Sequence, residues 1–440
     1  MKKSLLILLF TCWALFFAAF RPVMPFAAET AAFPDGTPVT GGRILMGTIG
    51  EPSNLIPYMA SDSASGEITG LLYVAPLKYD KDLNVVPWAA ASYEVLEGGR
   101  LLRFVLRDDI RWEDGVPLTA DDVEFTYKLM IDPKTPTAYS GDFLAIESFK
   151  KTGRLSFEVR YAKPFARSLM TWMGAILPKH VLEGQDIMTT PVARKPIGAG
   201  PYRLAKWDAG SMLTLTASDT YFEGRPNLDE VVYRIIPDPS TMFLELKAGK
   251  LDMMSLSPQQ YLRQTQGPQW ERDWRKYRYL SFSYTFLGFN LEHPFFKDVR
   301  VRRAISMAID RQSLIDGVLL GQGVPTVGPY KPGTWAYNDK LTPVRQDVDE
   351  ARRLLDEAGW KKNKDGLLER DGKPFLFTIL VNQGNDSRIK AAIIIQSQLK
   401  ALGITVHIRT VEWAAFIKEF VNKGHFDAII LAWTITLDPD

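Results

Sequence analysis

Apolar and polar residues change their spacing part-way along this chain, and the change divides it. From Gly41 to about Leu291 the pattern favours strands and loops. The stretches "RILMGTI" (43–49), "RLLRFVLR" (100–107) and "RLSFEVRY" (154–161) alternate over part of their length, which predicts half-buried strands. "MLTLTAS" (212–218) and "EVVYRII" (230–236) predict two more. Between the second and third strands, "PLTADDVEFTYKLM" predicts a helix. Thr119 and Asp122 have the spacing of a reciprocal N-terminal cap, and Asp132-Pro133 ends the helix. "STMFLELKAGKLDMM" predicts a helix, a glycine stop and a short buried strand.

From Val299 the apolar positions recur at about 3.6 residues. "VRVRRAISMAIDRQSLIDGVLL" predicts one helix, and "DVDEARRLLDEAG" a second that Gly359 terminates. The strand "FLFTILV" (375–381), the helix ending at Gly403, the strand "ITVHIRTV" (404–411), the helix ending at Gly424 and the strand "FDAIILAWT" (426–434) then alternate with short connections. That order predicts right-handed parallel crossovers, an α/β arrangement.

Composition narrows the function. A chain of 440 residues with 46% hydrophobic and 24% charged residues can bury the cores of two or three structural domains. Lys2 and Lys3 precede the apolar run Ser4–Phe20, the order of a secretory signal; cleavage is expected between Ala28 and Ala32, with an uncleaved anchor as the alternative. The lone Cys12 lies in that run, so the exported part has no disulfide. Without Lys2, Lys3 and Arg21 the rest carries 50 basic against 51 acidic residues, which gives no reason to expect a nucleic acid or an anionic membrane as partner. His180, His293, His407 and His425 lack ligand spacing, so no metal site is expected. "GVLLGQG" lacks the Lys-Ser/Thr of a phosphate loop, Ser148 and Lys151 match Ser-x-x-Lys by spelling alone, and no Gly-x-Ser-x-Gly elbow occurs. No motif argues for an enzyme or a cofactor.

Six segments in order carry a resemblance: "GEPSNLIP" (50–57), "LLRFVLRDDIRWEDGVPLTADDVEFTY" (101–127), "PIGAGPYRLAKW" (196–207), "LGFNLEHPFFKDVRVRRAISMAIDRQSLI" (287–315), "DEARRLLDEAGW" (349–360) and the "W…DPD" ending. Together they resemble the family 5 extracellular solute-binding proteins, the dipeptide- and oligopeptide-binding receptors of ABC importers. Each segment also has a structural reading: Asp114-Gly115 as a turn, Gly198 and Gly200 as a tight turn before Pro201, and Arg300, Arg302 and Arg303 as a solvated or interlobe face.

The resemblance implies a periplasmic-binding-protein-like type II fold with two hinged lobes and three structural domains. Lobe 1 would be discontinuous (36–75 and 196–285), with a smaller domain inserted (76–195) and lobe 2 from 286 onward. It implies a monomer that delivers peptides to a permease and ATPase complex in the inner membrane. The same scaffold around another solute, such as a sugar or a metal chelate, is the alternative; an exported hydrolase or adhesin fits less well. Family members continue beyond a position equivalent to 440, so the resemblance implies a chain cut within lobe 2.

Ligands of open α/β sheets bind beyond the carboxyl ends of strands. The candidates there are Asn382, Gln383, Trp433, Thr434, Thr436 and Asp438, joined by Asn54 and Trp413 where the resemblance places the cleft. The family's aspartate for a peptide ammonium has no counterpart at 434–437, and no arginine lies within "VNQGN"; Arg388 falls in the first turn of the next helix.

Overall fold

The computed structural model describes residues 38–435. Strand β1 (Arg43–Thr48) and helix α1 (Ser63–Leu72) come first. Next are β2 (Ala90–Leu96), β3 (Leu101–Leu106), α2 (Ala120–Ile131), β4 (Ile146–Lys151) and β5 (Ser156–Tyr161). The chain continues as β6 (Tyr202–Asp208), β7 (Met212–Ala217), β8 (Glu230–Ile235) and α3 (Pro239–Lys247). Then follow β9 (Ser283–Phe289), α4 (Val299–Ala308), α5 (Arg311–Leu319), α6 (Val348–Glu357), β10 (Leu376–Asn382), α7 (Asp386–Lys400), β11 (Thr405–Val411) and β12 (Ala428–Thr434).

Three four-stranded sheets organise these elements. The first has the order β1-β8-β7-β6 with β1 parallel to β8; the second, β2-β3-β5-β4, is antiparallel throughout; the third has the order β9-β12-β10-β11. In the third, β10 pairs in parallel with both β11 and β12, so three carboxyl ends share one edge. From β10 the chain passes through α7 to β11 on one side, then crosses to β12 on the other. That reversal is a topological switch point, where an open α/β sheet leaves a crevice.

The buried side chains form separate cores. One combines Leu102, Phe104 and Phe157 of the second sheet with Leu213, Leu215 and Val231 of the first, so these two sheets share one interior. A satellite of Met242, Phe243, Leu246 and Leu251 lies beneath α3. Another core holds Phe296, Val301, Ile305, Trp360, Phe375, Phe377 and Ile395 around the third sheet, with Phe416, Ile417 and Ile429 on its other face. No cluster draws buried residues from both sides of residues 274–286. We refer to the two bodies as lobe 1 and lobe 2.

Local chemistry explains most boundaries. The Thr119 side chain caps α2 while Asp122 accepts from the Thr119 N–H at 2.9 Å, the reciprocal cap expected from the sequence. Gly359, at φ 86°, follows α6 as expected. The long helix expected from Val299 is instead two. Ile309 is extended, and Asp310 accepts from the Gln312 N–H at 3.0 Å, so a local cap outcompetes helical continuation. The short strand expected after Gly249 is reduced to an isolated bridge between Met46 and Met253. Gly198 and Gly200 do not have left-handed backbones; they are required because Leu72 crosses directly over them, and Gly200 donates to the Leu72 carbonyl at 2.8 Å. Arg300 and Arg302 bond inside lobe 2, to the carbonyls of Glu357 and Phe296, rather than across the lobes. No helix among the described residues is long and apolar enough to cross a membrane. The signal segment and Cys12 lie outside the described residues.

Phe377 is fully buried, edge-on to Phe296 at 5.2 Å. Phe377→Ala is expected to destabilise the protein by about 3–5 kcal/mol in urea unfolding. A loss below about 1 kcal/mol would mean that the third sheet lacks the tight core described here.

Candidate functional site

The site begins with the loop that follows β1. Asp62 caps α1 and is only 5% exposed. Its carboxylate accepts from Ser53 Oγ at 2.5 Å, Ser65 Oγ at 2.7 Å and the Ser65 N–H at 2.9 Å. Ser65 Oγ in turn accepts from the Ser53 and Asn54 N–H groups, tying residues 53–54 to the start of α1. Asn54 Oδ1 accepts from the Ile56 N–H at 2.8 Å, so its carbonyl shapes the turn. Glu51 is fixed by Trp207 Nε1 and the Gly210 N–H, both at 3.0 Å. The loop is therefore a rigid rim.

Across from it lies the switch-point edge of lobe 2. Asn382, 1% exposed, ends β10; its Oδ1 accepts from Arg388 Nη1 at 2.7 Å. Gln383 is exposed and extends the ladder by donating its N–H to the Val411 carbonyl. Asn385 caps α7 through the Arg388 N–H. Burial pushes the Arg388 guanidinium down to about 10, still cationic at neutral pH, and no carboxylate of the described residues pairs with it. Its carbon lies 6.0 Å from the Trp413 ring centroid. Glu412 caps the turn that carries Trp413, accepting from the Ala414 and Ala415 N–H groups at 2.9 Å.

The two rims touch. Trp413 Nε1 donates to Asp62 Oδ1 at 3.3 Å across 351 positions of sequence. Gly50 is so close that a Cβ there would stand 2.7 Å from the Trp413 Cβ. Gly384, at φ 78°, packs on the Pro237 carbonyl and Ile49 beyond the ends of β8 and β1.

The structure thus brings Asn54, Asn382, Gln383 and Trp413 to the place where the two rims meet. Trp433 and Thr434 stand on the neighbouring strand, facing Tyr284 and Ser283 of β9; half-exposed Trp433 stacks on Phe286 at 6.2 Å. Thr436 and Asp438 lie outside the described residues. Asp62 and Arg388 were missing from the sequence-based candidates. Asp62 is legible as a helix cap before "SASGEITG", but nothing local signals that its partner is Trp413. A cavity of about 840 Å³ opens beside β9 in lobe 2, next to the cleft rather than in it. It meets the rim at Asn385, Ser387 and Arg388, and its charged lining residues, Arg311, Lys331 and Arg388, are all basic. Among the described residues there is no group of three or more His, Cys, Asp or Glu placed to hold a metal ion.

Comparison with known proteins places this geometry in context. Residues 84–440 match the model of the bacterial extracellular solute-binding proteins, family 5 Middle. The chain is 34% identical to the oligopeptide-binding protein AppA of Bacillus subtilis over 415 residues, covering 92% of this chain and 76% of that protein. The structure of AppA in complex with a nonapeptide superposes with a TM-score of 0.86 at 33% identity, over 92% of this chain and 81% of that one. NikZ from Campylobacter jejuni, in complex with Ni(L-His), superposes with a TM-score of 0.78 at 27% identity, over 90% and 78%.

Gly384 should tolerate substitution worse than a glycine with open space around it. Alanine in a left-handed backbone costs about 1–2 kcal/mol. Gly424, at φ 66°, has open space where a methyl would stand, with no atom within 4 Å, and would bear only that cost, whereas Gly384→Ala also meets the Pro237 carbonyl. Urea midpoints are expected to fall further for Gly384→Ala than for Gly424→Ala. Equal falls would contradict the close approach of the two rims.

Proposed function

Since this chain belongs to the bacterial extracellular solute-binding proteins of family 5, we propose that it captures peptides outside the cytoplasm and delivers them to an ABC importer. The observation that carries this reading is the facing of two rims across a cleft. A rigid loop lies on one side, and a switch-point edge with a half-buried guanidinium that has no carboxylate partner among the described residues lies on the other. Capture here is binding without chemistry. Arg388 would receive an anionic group of the solute, since a guanidinium pairs most strongly with a carboxylate. Asn382, Gln383, Trp413, Trp433 and Thr434 would line the path; the candidates Thr436 and Asp438 lie outside the described residues.

The reading divides the chain into lobe 1 (36–75 and 196–285), an inserted unit (76–195) and lobe 2 from 286, except that β9 begins at Ser283 and pairs with β12, which assigns residues 283–285 to the lobe 2 sheet. The core shared by the first two sheets supports their moving as one body. The permease and ATPase complex as recipient, the monomeric state and export through the N-terminal segment belong to the same proposal. A metal chelate is the second reading, since it would need no acidic residue at 434–437, where the sequence has none; the oligopeptide-binding relatives favour the first.

Thermal unfolding with pools of free-acid peptides tests the proposal. A ligand that binds only the folded state at a hundred times its Kd adds about 2.7 kcal/mol, a clear rise in Tm. Arg388→Gln is expected to weaken free-acid peptides by about tenfold while leaving their amidated counterparts unchanged. If no peptide pool raises Tm and nickel–histidine does, the chelate reading replaces the peptide one; if neither does, both fall.

A further inference from the structure

We propose that Trp413 and Asp62 form a clasp across the cleft, with Asp62 a positioning residue that holds the closed lobes together around a bound solute. The inference rests on the receptor reading above and adds to it the contact that completes closure.

The hydrogen bonds of Asp62 carry the argument. A buried carboxylate needs several donors, because its desolvation is compensated only by bonds to the charged form. Within lobe 1 it has three, from Ser53 and Ser65. These hold Oδ2 twice and Oδ1 once. The donor that adds to Oδ1 is the Trp413 indole, which belongs to lobe 2, where its ring stacks on Phe416 at 6.2 Å and packs with the Phe286–Phe420 cluster. When the lobes separate, this bond must be exchanged for one to water.

The backbone beside it is made for the same contact. Gly50 admits the Trp413 side chain where any Cβ would collide with it. Gly384 lets the loop after β10 settle on Pro237 and Ile49. Two glycines from different lobes, both crowded by the opposite lobe, fix one closed geometry. Each lobe brings one partly buried apolar residue to this seam, Ile49 from lobe 1 and Trp413 from lobe 2, but no apolar cluster spans it. The closed state thus depends on a small set of contacts, and a charge-assisted hydrogen bond can weigh heavily among them.

The test is a double-mutant cycle on the ligand-free protein, using Trp413→Phe, Asp62→Asn and the pair, with small-angle scattering as the readout. Each single variant is expected to raise the radius of gyration by the same amount, and the double variant to add nothing. An unchanged radius in folded Trp413→Phe, or additive changes in the double variant, would overturn the clasp. Should Asp62→Asn fail to fold through loss of its helix cap, Gly50→Ala replaces it: a methyl there pushes Trp413 away and leaves Asp62 intact. A second arm measures peptide release. Trp413→Phe is expected to speed dissociation about tenfold with little change in association. The two arms separate the claims. A variant that opens without ligand while the parent binds no peptide leaves the clasp standing and removes the receptor reading. Normal peptide binding with an unchanged radius does the reverse.

Discussion

Parallel pairing of β10 with β11 and β12 constrains everything else in this protein, because it brings three strand carboxyl ends to one edge and reverses the chain order there. A sheet built this way cannot fill its own switch point; the loops diverge and leave a crevice. Asn382, Arg388 and Trp413 come from the end of β10, the first turn of α7 and the turn after β11, yet they converge at that crevice. The order of strands, rather than any single motif, makes the site.

The second constraint is the separation of the apolar interiors. The lobes are stabilised independently, one by the Phe104–Phe157–Leu213 core and the other by the Phe296–Phe377–Ile395 core. Burial is the dominant favourable term in folding, so the lobes can shift against each other without disturbing what holds each together. What remains between them is short-range: an indole on a carboxylate and glycine backbones against neighbouring atoms. Such an interface can lie within a few kcal/mol of open, the range in which a ligand with preference for one state shifts the population.

Much of lobe 2 was legible in the sequence, because β10 and β12 are buried on both faces over most of their length and give continuous apolar runs, and glycine marks the helix ends. The capped helix α2 was legible because capping uses residues three apart. Other features were hidden by what competes with local pattern. Asp310 split a helix whose apolar period runs on unbroken, since a side-chain cap can override periodicity. Gly198 and Gly200 looked like turn residues, but their reason is Leu72, more than a hundred residues away. The clasp is the extreme case. Asp62 and Trp413 each have an ordinary local role, and only the folded chain brings them together. Asn54 shows the converse: it stands at the cleft, but its carbonyl is committed to the turn.

The central claim is that a peptide binds between the two rims and stabilises the contact between them. Hydrogen exchange with and without a bound peptide tests it most directly, because slowed exchange reports which backbone segments become ordered. The account predicts simultaneous protection of residues 50–54 in lobe 1 and residues 383–388 and 412–414 in lobe 2, with the interiors of both sheets unchanged. Protection confined to one lobe, or to the walls of the cavity beside β9 alone, would contradict it.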